Sequence, residues 1–354
     1  FFFFIFNRFM MNHTHTLSNA ALKYLALEDQ FGAHNYHPIP VVIEKGEGVY
    51  LYDVDGKKYF DFLSGYSAVN QGHCHPAIIK TLQEQASKLT LTSRAFHNNL
   101  LGEYEKYITS YFGYDKVLPM NTGVEGGETA IKLARRWGYY VKGISENQAK
   151  IIFPEGNFWG RTLAAISSST DPSSYQGFGP YMPGFGLVPY NDLIALEKAF
   201  QDNTVAAFMV EPIQGEAGVV IPSDGYLKGV RDLCTHYNVL IIADEIQTGL
   251  ARTGKMLACD HENVRPDILI VDEALSTGDA KFKEKSLNRI KELRSDDRAL
   301  ILVSHAMATL EDVCNDVAWL HKGKLVQRGD PKTVINAYRE FLQVGKSAAI
   351  DEDV

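Results

Sequence analysis

The stretch "NTGVEGGETAIKLARRWG" (residues 121–138) places a glycine-bearing turn directly before an amphipathic helix. The first amides of a helix have no partner inside it, and the positive end of the helix dipole lies beside them, so a helix start can bind phosphate. Thr122, Gly123 and Val124 are the predicted donors. Glycine-rich helix starts are common, and a purely structural turn is the alternative for this stretch taken alone.

A second chemical signal is an acid at the end of an apolar run. Asp244 closes "VLIIADE", where a carboxylate is costly unless it faces a cation or hydrogen-bond donors. A protonated pyridine nitrogen is such a cation, and pairing with it keeps the ring an electron sink. A strand-end cap or a salt bridge is the alternative. Phe158 in "GNFWGRT" can stack on such a ring, although phenylalanine in a loop more often packs against other side chains.

The surrounding elements predict an α/β fold. Apolar residues at helical spacing indicate a helix over residues 20–32, and the alternating stretch over residues 48–62 turns at a central Asp-Gly pair, as in a hairpin. Helical stretches then alternate with apolar strands, which favours a mostly parallel sheet with helices on both faces. Ligands gather at the carboxyl ends of such strands, where Glu211 and Asp244 lie. The strands are predicted within residues 149–156, 205–213 and 239–246.

Composition limits the classes of partner. The chain has 354 residues, a formal net charge of −8 and no run of basic residues, so neither nucleic acid nor an acidic membrane is a predicted partner. No window has the roughly 18 apolar residues of a transmembrane helix. The four cysteines are far apart and form no CxxC pair, which fits a reducing compartment, and a cytoplasmic location is predicted. The apolar start, residues 1–12, is interpreted as an extraneous tail.

Several longer motifs resemble those of one enzyme family. They are "HNYHPIPVVIEKGEGVYLYDVDGKKYFDFLSGYSAVNQGHCHP", "NTGVEGGETAIKLAR", "GNFWGRT", "VEPIQGEAGV" and "ADEIQTGLARTGK". In this order and spacing they resemble the class III pyridoxal-phosphate aminotransferases over about residues 20–268, and most closely the ornithine aminotransferase branch of that family. The resemblance implies the large domain of a fold type I aminotransferase and a homodimer.

The resemblance also assigns residues position by position. Gly123 and Val124 would hold the phosphate of pyridoxal phosphate, and Phe158 would stack on its ring. Asp244 would pair with the ring nitrogen, and Gln247 would contact the ring oxygen. The implied reaction moves the side-chain amino group of ornithine to 2-oxoglutarate, so an amino acid and an oxo acid are the implied partners. The residues on the substrate side would be Tyr36, Tyr66, Arg161, Glu211 and Glu216.

The residue on which the chemistry of the family depends is different in this chain. The family has a lysine that holds the cofactor as a Schiff base and moves the substrate proton. Here the matching stretch is "VDEALSTG", and the lysine position is Glu273. Lys281 lies eight residues downstream on a predicted helix and cannot simply substitute. We therefore predict no intact catalytic residue, non-covalent cofactor binding only, and transaminase turnover near zero.

From about residue 268 the chain resembles a different family, the carboxyl-terminal half of ABC-transporter ATPases. "ILIVDEALSTGDAKFKEKSLNRI" matches a Walker B strand, "ILVSH" a switch histidine, and "LHKGKLVQRGDPKTVINAY" a terminal hairpin and helix. By this resemblance Asp272 would hold a magnesium-bound water, Glu273 would polarise the attacking water, and His305 would reach the γ-phosphate. No Walker A loop precedes them, since "GLARTGKM" lacks the required hydroxyl residue, so ATP and magnesium are not expected ligands.

Together the two resemblances predict that the chain joins segments similar to two different families. We expect an aminotransferase-like segment at residues 13–268, with a truncated large domain and no small domain. An ATPase-like segment at residues 269–345 would continue the sheet with its Walker B half, before a tail at residues 346–354. An ATPase-derived fragment and a non-catalytic dimerisation module are the alternatives. No metal site is predicted at "HCH" (residues 73–75), because three consecutive residues of an extended strand cannot all face one ion.

Overall fold

The computed structural model of the protein describes residues 17–272, 316–321 and 324–350. Residues 17–272 belong to one compact unit, and the other two ranges belong to a second. Four sequence-based predictions lie outside the described residues: the apolar tail at residues 1–12, the replaced lysine position at Glu273, the predicted helix that carries Lys281, and the switch histidine His305. Within the described helices, none combines the length and the apolar character needed to cross a membrane.

The first unit begins with a helix and a small antiparallel sheet. Helix α1, Asn19–Phe31, starts at Ser18, whose hydroxyl accepts a hydrogen bond from the amide of Ala21 (3.1 Å). The sheet comprises β1 (Ile43–Glu47), β2 (Tyr50–Asp53) and β3 (Lys58–Phe60) in that order. The carboxylate of Asp53 accepts hydrogen bonds from two amides in the turn between β2 and β3, where Gly56 has a positive φ of 77°. The predicted helix and hairpin are confirmed.

The central sheet of the first unit has five described strands, and all of them are parallel. Their spatial order is β5-β4-β6-β7-β8. The predicted mostly parallel sheet is therefore confirmed for this part of the chain. The strands are β4 (Lys150–Pro154), β5 (Phe185–Val188), β6 (Val205–Val210), β7 (Leu240–Asp244) and β8 (Ile268–Ile270).

Helices precede or connect these strands. In chain order they are α2 (Pro76–Ala86), α3 (Leu101–Phe112), α4 (Gly123–Trp137), α5 (Leu163–Ile166), α6 (Pro172–Tyr175), α7 (Leu193–Phe200) and α8 (Tyr226–His236). A π-helical turn, Gly138–Lys142, continues α4, and a 3-10 turn, Ala258–His261, precedes β8.

Two apolar cores cover the two faces of the sheet because successive strand residues point to opposite sides. Ile151, Met209 and Ile242 lie in one core with the buried side of α4. Ile152 and Phe208 lie in the other core with the buried sides of α7 and α8. Burial on both faces explains why the strands are continuous apolar runs in the sequence rather than alternating ones.

The strand order creates a crevice at one end of the sheet. After β4 the chain moves to β5 on one side, and then crosses to β6 on the other side of β4. Loops that leave β4 and β6 therefore diverge, and an open α/β sheet binds its ligands at such a point. The loop after β4 carries Phe158, and Glu211 directly follows β6.

The last described strand of this sheet is β8, which pairs with β7 in parallel. Asp267 sets this pairing, because its carboxylate accepts hydrogen bonds from the amide of Ile241 (2.7 Å) and from the guanidinium of Arg231 (2.9 Å). The strand predicted at "PDILIV" is thus confirmed, and it places Asp244 opposite Ile270.

The second unit contains a hairpin and a helix in its described part. Strands β9 (Val317–His321) and β10 (Lys324–Gly329) pair antiparallel, and α9 (Pro331–Ile350) follows. The indole of Trp319 packs against the rings of Tyr338 and Phe341, with centroid distances of 5.5 and 5.1 Å. The predicted hairpin and helix are confirmed, and the helix begins at Pro331. It extends to Ile350, into the segment predicted as a tail at residues 346–354, and no proline in "QVGKSAAI" stops it.

Because the Phe208 side chain lies in a core that covers the central sheet, it should contribute strongly to the free energy of unfolding. Its side chain is fully buried, so Phe208→Ala should lower the free energy of unfolding by about 3–5 kcal/mol. Phe178→Ala is the matched control, because Phe178 is 58% exposed and its removal should change the free energy by only about 0.5 kcal/mol. Chemical denaturation measures both values, and equal losses would contradict this assignment of the core.

Candidate functional site

A cavity of about 250 Å³ lies at the carboxyl ends of β4, β6 and β7. This is a little below the range of about 300–1,000 Å³ that is usual for drug-sized ligands, so it suits a ligand with a single ring. The start of α4 forms another wall. Five of the six residues predicted for the cofactor line the cavity, together with one that was predicted for the substrate side: Gly123, Val124, Phe158, Asp244, Gln247 and Glu211.

The start of α4 presents free hydrogen-bond donors to the cavity. Thr122 caps the helix: its hydroxyl oxygen accepts from the amide of Glu125, and the carboxylate of Glu125 accepts in return from the amide of Thr122. The next two amides, of Gly123 and Val124, have no hydrogen-bond acceptor among the described residues. Of the three predicted donors, Gly123 and Val124 thus have backbone amides without an acceptor among the described residues. The amide of Thr122 is already used, so only its hydroxyl proton remains as a donor.

The start of α4 lies close to Ile246 in the loop after β7, so a side chain at residue 123 would require the Ile246 side chain to shift. A Cβ on Gly123 would collide with the Cδ1 of Ile246. The absence of a side chain therefore lets the helix start lie directly over the carboxyl end of β7. This contact places the free amides and Asp244 around one cavity.

Asp244 is a buried acid without a basic neighbour in the cavity wall. Its side chain is 6% exposed and accepts a hydrogen bond from the amide of Ile246 (3.2 Å). Burial, together with the negative charges of Glu245 and Asp272, raises the pKa of Asp244 to about 7 against the opposing effect of the Ile246 amide. Among the residues that line the cavity there is no lysine, arginine or histidine. The site therefore has an unmet preference for a cation at the end of β7.

Glu211 is the second buried acid of the cavity. One carboxyl oxygen accepts from the amide of Phe158 (2.9 Å) and the other from the amide of Gly215 (3.2 Å). Burial raises the pKa of Glu211 to about 8, against the effect of these two amides and with the help of the charges of Asp244 and Glu216. At neutral pH this side chain is predominantly a neutral acid.

A buried network of polar side chains fixes the loop that carries Phe158. The amide group of Asn157 donates to the carbonyl oxygens of Pro154 and Ser168 (2.8 and 2.7 Å). The indole of Trp159 donates to the hydroxyl of Ser168 (2.8 Å). All three polar side chains are buried, and their network holds the residues on both sides of Phe158.

Of the five predicted substrate-side residues, Glu211 lines the cavity, and the other four comprise one mutual pair, one residue that contacts Gln247, and one separate residue. Arg161 donates to the hydroxyl of Tyr36 (2.8 Å), and its guanidinium lies 5.8 Å from the ring centre of Phe158. Glu216 accepts from the side-chain amide of Gln247 (3.3 Å). Tyr66 is 64% exposed, and no hydrogen bond, ion pair or ring contact within the described chain joins it to these pairs.

Several residues of the site were not predicted from the sequence. Glu245 is fully buried, and its carboxylate accepts from the hydroxyl of Thr248 and from the amides of Ala258 and Cys259. The acidic pair at the end of a strand is the sequence feature from which Glu245 could have been predicted. No sequence feature indicates Ser168. The other unpredicted residues line the cavity and are Trp159, Gly160, Ile213 and Ile246.

The predicted ATPase remnants can be placed only in part. Asp272 is within the described range, and its charge acts on Asp244. Glu273 and His305 lie outside that range. In the part of the chain that the structure describes, no group of three or more histidine, cysteine or acidic side chains could hold a metal ion. His73, from the "HCH" sequence, instead forms a 2.6 Å contact with the carboxylate of Asp61.

Together these features fit one kind of ligand. Free helix amides favour a phosphate, Asp244 favours a protonated ring nitrogen, and the Phe158 ring offers an aromatic surface. A planar nitrogen heterocycle that carries a phosphate meets all three conditions.

Most of the first unit is similar to proteins of one family. The chain matches the family model described as aminotransferase class-III over residues 31–291. It is 70% identical over 251 residues to the mitochondrial ornithine aminotransferase of Rattus norvegicus, and this match covers 71% of the chain and 57% of that relative. The corresponding enzyme of Drosophila melanogaster is 69% identical over 261 residues, with 74% of the chain and 60% of the relative covered.

Solved structures of aminotransferases are also similar to this chain. The ornithine aminotransferase from Toxoplasma gondii superposes with a TM-score of 0.70 at 52% identity, covering 72% of the chain and 60% of that protein. The acetylornithine aminotransferase from Elizabethkingia anophelis gives a TM-score of 0.64 at 56% identity, with coverage of 72% and 61%. The chain thus spans about three fifths of the length of the relatives it matches. None of these relatives is an ATPase, so the resemblance of residues 269–345 to ATPases stays a prediction.

The two buried acids predict an unusual dependence of stability on pH. Their pKa values are raised from 3.8 to about 7 for Asp244 and from 4.5 to about 8 for Glu211, so the folded ligand-free protein binds more protons than the unfolded chain does. The stabilisation is complete below the unfolded pKa values and is lost as the pH rises through the folded ones. Melting temperatures should therefore fall between about pH 4 and about pH 8, and these two acids should cause no further fall at higher pH.

Asp244→Asn is the variant that isolates this effect. Asparagine has a similar shape and no charge, so the fall in melting temperature should be smaller than in the wild type over the same pH range. Asp55→Asn, in the exposed hairpin turn, should leave the fall unchanged. Parallel curves for the wild type and Asp244→Asn would contradict the assignment of a raised pKa to Asp244.

Proposed function

The chain belongs to the class-III aminotransferase family, and we propose that its cavity binds pyridoxal phosphate without covalent attachment. The observation that supports this most strongly is the buried acid Asp244 at the end of β7, which has no basic partner among the described residues that line the cavity. The free amides at the start of α4 lie at the same cavity. A phosphate and a ring nitrogen on one ligand would satisfy both.

Each residue has a separate task in this proposal. The amides of Gly123 and Val124 bind the phosphate, and Asp244 keeps the ring nitrogen protonated. Phe158 stacks on the ring, and Gln247 contacts the ring oxygen. Pyridoxal phosphate, when bound, supplies an electron sink for reactions of amino acids. The burial of the cavity floor excludes water from Asp244, which strengthens its pairing with the ring nitrogen.

The substrate class follows from the relatives and from the charged groups at the cavity. The relatives described above include ornithine aminotransferases, and we extend to this chain an amino acid and an oxo acid as ligands. Arg161 is a suitable partner for a ligand carboxylate, because its guanidinium lies beside the ring of Phe158. Glu216 is a suitable partner for a ligand amino group. Tyr36 orients Arg161 through its hydroxyl, and Tyr66 completes the substrate-side set.

The proposal includes near-zero transaminase turnover. Glu273 occupies the position of the family lysine in the sequence, so the group that attaches the cofactor and moves the substrate proton is replaced by an acid. A carboxylate close to the phosphorylated cofactor is unfavourable by a few kcal/mol, roughly, at an effective dielectric constant of about 20. We propose that binding survives this change and that turnover does not.

A homodimer is part of the same proposal. Large apolar side chains are exposed in the segment between β3 and α4, where a second copy of the chain would cover them. Examples are Phe62, Leu91, Phe96 and Leu118, at 74, 85, 69 and 64%. The predicted cytoplasmic location stays a prediction, and the relatives from rat and fly are named as mitochondrial.

A second candidate concerns residues 269–345, which we propose to be derived from an ABC-type ATPase. The hairpin of β9 and β10 followed by α9 supports it, because this is the order of elements that the resemblance predicted. The sequence has no Walker A loop, so the segment would bind no nucleotide. Magnesium-dependent binding of ATP by the purified protein would contradict that statement. A non-catalytic dimerisation module, the remaining alternative, would bind neither ATP nor pyridoxal phosphate.

Because Glu273 stands at the position of the family lysine, we can predict the outcome of an experiment that traps the cofactor on a lysine. The wild-type protein should bind pyridoxal phosphate reversibly, and borohydride should leave its intact mass unchanged, because no lysine is present at residue 273. Glu273→Lys should restore covalent attachment, which is visible as a yellow absorbance band and as a gain of one reduced cofactor in mass.

Glu273→Gln is the matched control for this experiment, since it removes the charge without supplying an amine. It should bind the cofactor more tightly than the wild type and should still gain no mass. Ornithine-dependent formation of glutamate should be at the level of the no-enzyme blank in the wild type. A borohydride-fixed adduct or measurable turnover in the wild type would contradict the role given to residue 273.

A further inference from the structure

Two loops that are distant in sequence form adjacent walls of the cavity. The first follows β4 and carries Phe158, and the second follows β6 and carries Ile213. About fifty residues separate them along the chain. Parallel pairing of β4 with β6 brings their starting points together, but strand pairing ends before either loop begins. A further contact must fix one loop relative to the other.

The side chain of Glu211 makes such a contact. It accepts from the amide of Phe158 in the first loop (2.9 Å) and from the amide of Gly215 in the second loop (3.2 Å). Each carboxyl oxygen serves one loop. The side chain is 6% exposed, so water does not compete effectively for either amide.

The other contacts of the first loop hold the neighbours of Phe158 rather than Phe158 itself. Asn157 and Trp159 are fixed through Ser168, and the side-chain amide of Gln214 donates to the carbonyl oxygen of Glu155 (2.8 Å). The amide of Phe158 has Glu211 as its acceptor. Loss of this bond would leave the residue that carries the ring free to rotate between two fixed neighbours.

The surroundings of Glu211 disfavour a charge on it. Asp244 faces it from β7 and Glu216 from its own loop, and both are acidic. The hydroxyl of Tyr190 donates to the backbone carbonyl oxygens of Glu211 and Pro212 (3.2 and 2.9 Å), so it fixes the backbone without touching the carboxyl group. Burial raises the pKa of Glu211 to about 8. A neutral acid can join the loops without adding a second negative charge beside Asp244.

We propose that Glu211 is a positioning residue whose two carboxyl oxygens join the loops after β4 and β6, and so hold the Phe158 ring against a planar ligand. This differs from the substrate-side role that the family resemblance implies for Glu211. The joining of the loops is independent of any ligand, whereas the effect on a bound ring rests on the proposed function.

Amide hydrogen exchange of the ligand-free protein tests the joining of the loops directly. In Glu211→Ala, peptides that contain Phe158 and Gly215 should both exchange about tenfold faster, because each amide loses a hydrogen bond to a buried carboxyl group. In Glu211→Gln, only one oxygen remains as an acceptor, so one of the two peptides should exchange faster and the other should be preserved. Glu211→Gln also serves if Glu211→Ala does not fold.

The structure offers a matched control in Glu262. This residue also accepts from two backbone amides, those of Gly225 and Lys228 (3.1 and 2.9 Å), but at the start of α8. Glu262→Gln should speed exchange near residues 225–228 and leave the peptides of Phe158 and Gly215 unchanged. Unchanged exchange of those two peptides in both Glu211 variants would overturn the proposal.

Titration with pyridoxal phosphate tests the effect on the ring. The Glu211 variants should bind it about tenfold more weakly and should lose the circular dichroism that the bound ring acquires from a fixed aromatic neighbour, while Glu262→Gln should keep both. Faster exchange with unaltered affinity and circular dichroism would overturn the positioning role. If the wild type binds no pyridoxal phosphate at all, the proposed function fails, and the exchange data alone decide whether Glu211 joins the loops.

Discussion

Two buried carboxyl groups at the ends of adjacent parallel strands are the constraint around which the site is built. Asp244 ends β7 and Glu211 follows β6, and both are 6% exposed in a cavity wall without a basic side chain. Burial of an acid without a cation lowers stability near neutral pH. Asp244 has no basic partner in this wall, so a ligand with a positive charge would compensate it, whereas Glu211 also joins the loops after β4 and β6.

The rest of the first unit can be understood as the scaffold for these acids. The crossing from β5 to β6 opens the crevice, and the glycine at residue 123 lets the start of α4 approach β7. The helix then offers donors for a negative group at a short distance from an acid that attracts a positive one. In the proposed function a ligand with both charges, such as a phosphorylated pyridinium, would be held at its two ends, and Phe158 would offer a surface for its ring.

The sequence predicts those parts of the site that depend on local rules. Asp244 was recognisable because an acid closed an apolar strand, and the helix start was recognisable because a glycine-bearing turn preceded an amphipathic helix. The contact between Glu211 and Phe158 was not predictable, since it depends on β4 and β6 being neighbours, and spatial strand order is not visible in the sequence. The lack of a contact between Tyr66 and Arg161 among the described residues was not predictable for the same reason, because such contacts depend on tertiary packing rather than on spacing along the chain.

The central claim is that Asp244 supplies a partner for a protonated ring nitrogen, and a nitrogen NMR spectrum of isotope-labelled pyridoxal phosphate bound to the protein tests it most directly. At a pH of about 8 the ring nitrogen should be protonated in the wild type and should lose that proton in Asp244→Asn. The spectrum of the free cofactor at the same pH is the reference for both. A bound ring nitrogen that is unprotonated in the wild type, or equally protonated in Asp244→Asn, would contradict the account.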